Sequence, residues 1–137
     1  MNSKSMTATL VGAVVLFLLG FLIYGLALAG FYEANVGTAT GVVKDPPEWL
    51  WLILSTIAYA GLLTVTLGWA GSKDAMSGFK TAAIVGLLMS LSFDFGIYSM
   101  MNTQNLTVTL VDPIVGTLHA GLGGAVIGMM LGRGGGA

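Results

Sequence analysis

The stretch Thr7–Gly30, TATLVGAVVLFLLGFLIYGLALAG, decides the fold class of this chain because none of its residues is charged. A hydrocarbon core about 30 Å thick needs about 20 apolar residues in a helix, so this stretch is long enough to cross a bilayer. The apolar region of a cleaved signal peptide usually spans only about 7–15 residues. We therefore interpret the stretch as a retained transmembrane helix.

Three further apolar stretches of similar length come after the first. They are Trp49–Gly71, Phe79–Met101 and Val108–Leu131. The connections between them are short and polar, so no soluble domain fits between the helices. The pattern predicts an all-α fold, a transmembrane four-helix bundle that forms a single membrane domain over residues 1–137 and ends in a Gly-rich tail at residues 132–137.

The composition agrees with a membrane protein. Hydrophobic residues make up 55% of the chain and charged residues 8%, whereas charged residues make up about a quarter of a soluble domain. A net charge of −1 without any basic cluster argues against a nucleic-acid partner. The absence of cysteine excludes disulfides, thiolate metal sites and cysteine nucleophiles. We expect the lipid bilayer to be the main partner.

The basic residues predict the orientation. With four spans, four of the five basic residues fall on one side of the membrane: Lys4, Lys73, Lys80 and Arg133. Only Lys44 falls on the other side. Because basic residues favour the cytoplasmic side, we predict that both termini lie in the cytoplasm and that the chain is an integral protein of the bacterial cytoplasmic membrane.

Small residues recur along one face of the fourth stretch. They are Gly116, Ala120, Gly124 and Gly128, spaced four residues apart. A ridge of small side chains lets two membrane helices approach closely. The ridge predicts helix packing inside the bundle. The alternative is an interface in a homo-oligomer or a larger membrane complex.

Asp94 is the strongest functional clue, because it lies inside the third apolar stretch. A carboxylate at that depth is costly unless it is protonated, paired or hydrated, and no basic residue lies at matching depth. Ser90 and Tyr98, four residues on either side, are the hydroxyl partners that we expect on its helix face. Asp94 is then either a hydrogen-bonded residue that fixes helix packing or a carboxyl group that binds a proton or a ligand.

Asp112 directly precedes Pro113, the order of an N-cap followed by proline at the first helical position. This interpretation starts the last helix at Pro113 and leaves Leu106–Val111 extended or re-entrant. In the alternative, the helix begins near Leu106 and Asp112 lies one to two turns inside it. We favour the capping interpretation as the more economical one.

His119 is the only histidine in the chain and lies seven residues after Asp112, two turns along roughly the same face. A lone membrane histidine most often forms a hydrogen bond with a neighbouring helix. A proton relay is the next interpretation, and axial ligation of haem or chlorophyll is a weaker one. No other metal-ligand set exists, so we predict neither a metal site nor a bound cofactor.

The polar residues share one end of the predicted bundle, where we expect an acidic, amide-lined depression open to the outside. The candidate proton- or ligand-binding residues are Asp94, Asp112, His119, Tyr98, Glu33 and Asn35.

Two regions resemble an uncharacterised family of small bacterial four-helix membrane proteins, described as a domain of unknown function. They are Gly20–Gly41, which contains the run GFYEANVGTATG, and Gly86–Thr117. The resemblance implies four transmembrane helices. It also implies that Asn35, Asp94, Tyr98 and Asp112 are family-pattern positions. It implies no activity, and His119 matches no pattern of the family.

The chain has no nucleophile–base pair, no cluster of metal ligands and no phosphate-binding loop, so we expect that it is not an enzyme. The leading interpretation is a non-enzymatic accessory or structural subunit of a membrane assembly. The alternative is a small proton-linked transporter or channel that uses the intramembrane carboxyl groups, in which case four helices would require an oligomer. The third is a haem- or chlorophyll-binding subunit that uses His119.

Overall fold

The computed structural model describes residues 1–134, and this part of the chain is all-helical. Within it, four helical spans are long and apolar enough to cross a membrane. They are Ser3–Ala27, Trp49–Trp69, Ala75–Met100 and Leu106–Gly132. The predicted helical class and the four spans are therefore confirmed. Of the predicted Gly-rich tail, Gly132 belongs to the last helix, and residues 135–137 lie outside the described range.

The first span ends earlier than predicted and is not a single regular helix. Helix α1 (Ser3–Gly20) starts at an Asn2 N-cap and continues as a π-helical segment, Phe21–Ala27. The N–H of Leu28 donates to the oxygen of Ile23 at 2.8 Å, five residues back, and the helix stops there. A short helix, α2 (Ala29–Ala34), comes next. A π-helical turn holds more residues than an α-helical turn, so it rotates the downstream residues onto a new face.

Helices α3 (Trp49–Trp69) and α4 (Ala75–Met100) form the second and third spans. Helix α4 begins four residues before the predicted Phe79, because Asp74 caps it. The Asp74 Oδ1 atom accepts from the N–H of Ser77 at 2.9 Å, and the Ser77 hydroxyl completes a capping box. Hydrogen bonds from the Ser77 backbone and hydroxyl hold the pKa of Asp74 below its usual value.

The prediction that Asp112 caps the last helix is wrong. Helix α5 (Leu106–Gly132) starts at Asn105, whose Oδ1 accepts from the N–H of Val108 at 3.1 Å. Pro113 lies inside the helix and is fully buried. Asn105 already supplies the capping acceptor about two turns earlier, and proline is tolerated inside membrane helices because neighbouring groups compensate for its missing N–H.

Helix α5 lies at the centre of the bundle and contacts α1, α3 and α4. Its ridge of small residues (Gly116, Ala120, Gly124 and Gly128) faces α4, where the two backbones approach closely. A methyl group on Gly124 would meet the Ala82 side chain and lie 2.7 Å from the oxygen of Gly78. The ridge therefore packs against α4 of the same chain.

Candidate functional site

Asp94 is buried in α4, with 7% of its surface exposed. Its Oδ1 accepts a hydrogen bond of 3.4 Å from the Gln104 side-chain amide, which also donates to the Thr109 hydroxyl at 2.9 Å. Its Oδ2 is buried and has no hydrogen-bond partner within residues 1–134. A buried polar atom without a partner costs free energy, so this oxygen requires an explanation.

The neighbour of this carboxyl group is a second one. The side chain of Asp112, on α5, lines the same two clefts as Asp94. The Tyr32 hydroxyl, from α2, donates to the Oδ1 of Asp112. Burial and this hydrogen bond raise the pKa of Tyr32, so its hydroxyl stays a donor. The part of the chain that the structure describes places no lysine or arginine against either aspartate.

Both aspartates lie at the same depth from one end of the bundle. Asp94 is six residues before the end of α4, and Asp112 is six residues after the start of α5. At 1.5 Å per residue, each lies about 9 Å along its helix from the α4–α5 connection. The pair therefore sits inside the apolar spans and away from the helix ends.

The segment after α2 meets the α4–α5 connection at the end of the bundle that is nearer the carboxyl pair. We call this end the loop end, and we call residues 35–39 and 102–105 its cover. The side-chain amide of Asn105 donates to the Oδ1 of Asn35 at 2.9 Å, and the Asn105 N–H donates to the Asn35 backbone oxygen at 3.1 Å. The Ala39 N–H donates to the oxygen of Asn102 at 2.8 Å. Asn35, a predicted site residue, thus holds the cover over the carboxyl pair.

Two clefts meet at the carboxyl pair. The loop-side cleft, about 240 Å³, lies under the cover and includes Tyr32, Asn35, Asp94, Gln104 and Asp112 in its lining. The deep cleft, about 330 Å³, extends farther into the bundle. Its lining includes Tyr24, Tyr59, Ser90, Asp94, Asp112 and His119. The two aspartates therefore lie at the border between the two clefts.

His119 joins α5 to α1. Its Nε2 donates to the backbone oxygen of Leu16 at 2.8 Å, because a carbonyl can only accept. The Tyr24 ring stands nearly perpendicular to the imidazole, with 5.7 Å between the ring centroids. Axial ligation of a haem through Nε2 would require this hydrogen bond to break. The geometry matches the interpretation of His119 as a hydrogen-bonding residue that also borders the deep cleft.

Two predicted site residues are not brought to the pair. Glu33 is exposed on α2, and Tyr98 is 44% exposed at the end of α4. Neither lines a cleft. Among the described residues, the partner of Asp94 is the Gln104 amide instead of the expected hydroxyl groups of Tyr98 and Ser90.

Sequence reasoning missed Gln104, Tyr24, Tyr32 and Tyr59. The sequence could have indicated Tyr24 and Tyr59, because a tyrosine inside an apolar span needs a polar neighbour for its hydroxyl. Tyr32 follows the first apolar stretch, where tyrosine is typical of a membrane interface. Gln104 lies in an amide-rich connection where nothing in the sequence distinguishes it from its neighbours.

No group of three or more potential metal ligands occurs in residues 1–134. Comparison of the chain with protein-family models, curated proteins and solved structures gives no match. The resemblance to small bacterial four-helix membrane proteins therefore stays a prediction, and the carboxyl pair is the feature from which a function can be inferred.

Proposed function

We propose that this chain is a non-enzymatic integral protein of the bacterial cytoplasmic membrane that binds a proton at Asp94 and Asp112 and passes it between the two clefts. It is then a small proton-linked transporter or channel. The observation that carries this proposal is the buried, unpartnered Oδ2 of Asp94 in a cleft lining that it shares with a second carboxyl group, that of Asp112.

A shared proton explains the arrangement in two ways. Two carboxylates in a water-poor site repel each other, and no cation balances them in the described part of the chain. One proton removes one of the two charges and supplies the donor that Oδ2 lacks. Tyr32 already satisfies one oxygen of Asp112, and Gln104 satisfies one of Asp94. The remaining oxygens are left for the proton.

The charge distribution supports an orientation for this path. Four of the five basic residues belong to the end opposite the loop end, so the positive-inside rule places the loop end outside and both termini in the cytoplasm. The loop-side cleft then faces the external solution, and the deep cleft leads toward the membrane centre. A chain of only four spans favours a homo-oligomer as the transporting unit.

The test is proton flux into liposomes that carry the purified protein and enclose a pH-sensitive dye. With a potassium diffusion potential, we expect the intact chain to acidify the lumen and Asp94→Asn and Asp112→Asn to reduce the rate to that of empty liposomes. Glu33→Gln is the matched control, because it removes a carboxyl group at the same end of the bundle but outside both clefts. Normal flux through a correctly folded Asp94→Asn variant would contradict the proposal.

The accessory-subunit function is the second candidate, and one observation favours it. Hydrogen bonds of the two aspartates tie α2 and the α4–α5 connection to the bundle, as a packing role requires. Under this proposal, Asp94→Asn mainly lowers the unfolding temperature, and the chain co-purifies in mild detergent with other subunits or with itself. Mass spectrometry of the purified material distinguishes these outcomes.

A further inference from the structure

The deep cleft has the electrostatic character of a cation site. Two aspartates line it and no lysine or arginine does. One of them, Asp94, is more than nine-tenths buried and has a carboxyl oxygen without a hydrogen-bond partner among the described residues. The uncharged polar groups in its lining, such as Ser90 and Thr56, provide no positive charge. A cation bound here would balance the carboxyl pair as a proton does.

Aromatic rings add a second attraction for a positive charge. Tyr24, Tyr59, Phe93 and His119 all line the cleft. The centroid of His119 lies 5.7 Å from that of Tyr24 and 6.5 Å from that of Tyr59. The negative faces of aromatic rings attract ammonium groups, most strongly where water is excluded. A volume of about 330 Å³ suits a small organic molecule better than a bare metal ion.

The position of the opening indicates how a ligand would reach the cleft. Ser55 on α3 and Phe93 on α4 line it and are exposed, Phe93 by 63%. Ser55 lies six residues from the start of α3 and Phe93 seven residues from the end of α4, which places both about 10 Å inside their spans. The opening between α3 and α4 thus faces the hydrocarbon of the bilayer, a medium that hydrophobic molecules enter.

We infer that the deep cleft binds a hydrophobic monovalent organic cation, such as a quaternary ammonium compound with an aromatic group, in exchange for the proton of the Asp94–Asp112 pair. The inference rests on the proposed function, because it names the substrate class that the proton would be exchanged for. The exchange balances in charge: one cation enters the site and one proton leaves it to the solution.

Competition with the proton gives the site a characteristic pH dependence. The titratable groups around Asp94 are Asp112 and His119 on α5, Tyr32 on α2, Tyr24 on the π-helical segment and Tyr59 on α3. Since the cation and the proton bind the same carboxyl pair, cation affinity rises with pH. We expect a gain of about tenfold per pH unit while the pair is protonated.

The experiment measures the binding of radiolabelled benzyltrimethylammonium to the purified protein in detergent, by equilibrium dialysis at several pH values. We expect saturable binding, one proton released per cation in weakly buffered solution, and affinity at least tenfold lower for Asp94→Asn. Asp94→Glu keeps the carboxyl group and should retain binding, and Glu33→Gln should bind as the intact chain does. Neopentylbenzene has the same shape without the charge and should not compete.

The outcomes separate this inference from the proposed function when proton flux is measured on the same preparations. Asp94-dependent flux without saturable cation binding overturns the inference and leaves the proton function standing. Asp94-dependent binding with proton release but no proton flux, with or without a benzyltrimethylammonium gradient across the liposome membrane, supports the cation site and overturns proton translocation. Equal binding by the intact chain and by Asp94→Asn, or competition by neopentylbenzene, means partition into the micelle and overturns the inference.

Discussion

At the residue scale, the chemistry of this protein is concentrated in two aspartates and the few groups that touch them. Gln104 supplies a single amide to Asp94, and Tyr32 supplies a single hydroxyl to Asp112. Each aspartate therefore keeps one carboxyl oxygen that no protein donor satisfies through these contacts. In a purely structural pair, we expect protein groups to donate hydrogen bonds to every carboxyl oxygen. A pair that takes up and releases a proton needs one carboxyl oxygen free to bind it.

Tyr32 gives a prediction about alkaline pH. Its raised pKa means that the folded chain holds this proton more tightly than the unfolded chain. The resulting stabilisation is complete below the unfolded pKa of about 10 and is lost as pH rises from there toward the folded pKa. We expect Tyr32→Phe to remove this part of the alkaline loss of stability, as measured by thermal unfolding between pH 8 and about 11. Tyr98→Phe is the control and should behave as the intact chain does. An unchanged alkaline profile in Tyr32→Phe would refute this assignment.

At the element scale, the tight pairing of α4 with α5 positions the two aspartates. Close approach of the helix backbones at Gly124 and Gly78 leaves no room for larger side chains. Because the helices are held this close, groups about 9 Å from the ends of both helices come within reach of each other. Tyr24 on the π-helical segment and Tyr32 on α2 also line the clefts at the carboxyl pair.

A pair of glycine substitutions tests the helix contact. Gly124→Ala inserts a methyl group against Ala82 and the Gly78 carbonyl, and we expect it to lower the free energy of unfolding by about 2 kcal/mol through overpacking. Gly96→Ala, in α4, meets nothing within 4 Å. It should be neutral or stabilising by up to about 1 kcal/mol, since alanine is the better helix former. Thermal or denaturant unfolding in detergent gives both values, and equal effects would rule out close packing at Gly124.

The start of α5 gives a further prediction. Asn105→Ala removes the N-cap acceptor and the amide contact with Asn35, and we expect a loss of about 1 kcal/mol or more. Asn105→Asp keeps an acceptor for the Val108 N–H but lacks the amide donor, so it should recover part of that loss. The same unfolding measurement checks both variants. If Asn105→Ala were as stable as the intact chain, Asn105 would not be the N-cap of α5.

At the scale of the whole molecule, charge and polarity divide the bundle into two different ends. One end carries most of the basic residues, and the other carries the cover of residues 35–39 and 102–105 above the carboxyl pair. The apolar surface between them is exposed along all four spans. In a bilayer that surface contacts lipid, and the loop end meets the aqueous phase.

The absence of cysteine makes the orientation straightforward to measure. We expect a cysteine placed by Thr38→Cys, in the connection after α2, to react with a membrane-impermeant maleimide in intact spheroplasts. A cysteine placed by Ser3→Cys should react only after the membrane is permeabilised. The physical reason is the positive-inside distribution of lysine and arginine. Reaction of Ser3→Cys in intact spheroplasts would reverse the predicted orientation.

The sequence by itself determined the helical class, the four spans and the presence of two aspartates among apolar residues, because hydropathy and helix length depend on composition along the chain. It also indicated Asn35 and His119 near the site. The structure decided between the two starts that the sequence left open for α5, and it alone showed that Gln104 and Tyr32 hold the two carboxyl groups. These contacts join residues separated by up to 80 positions. They depend on backbone approach and helix rotation, which no local pattern of residues encodes.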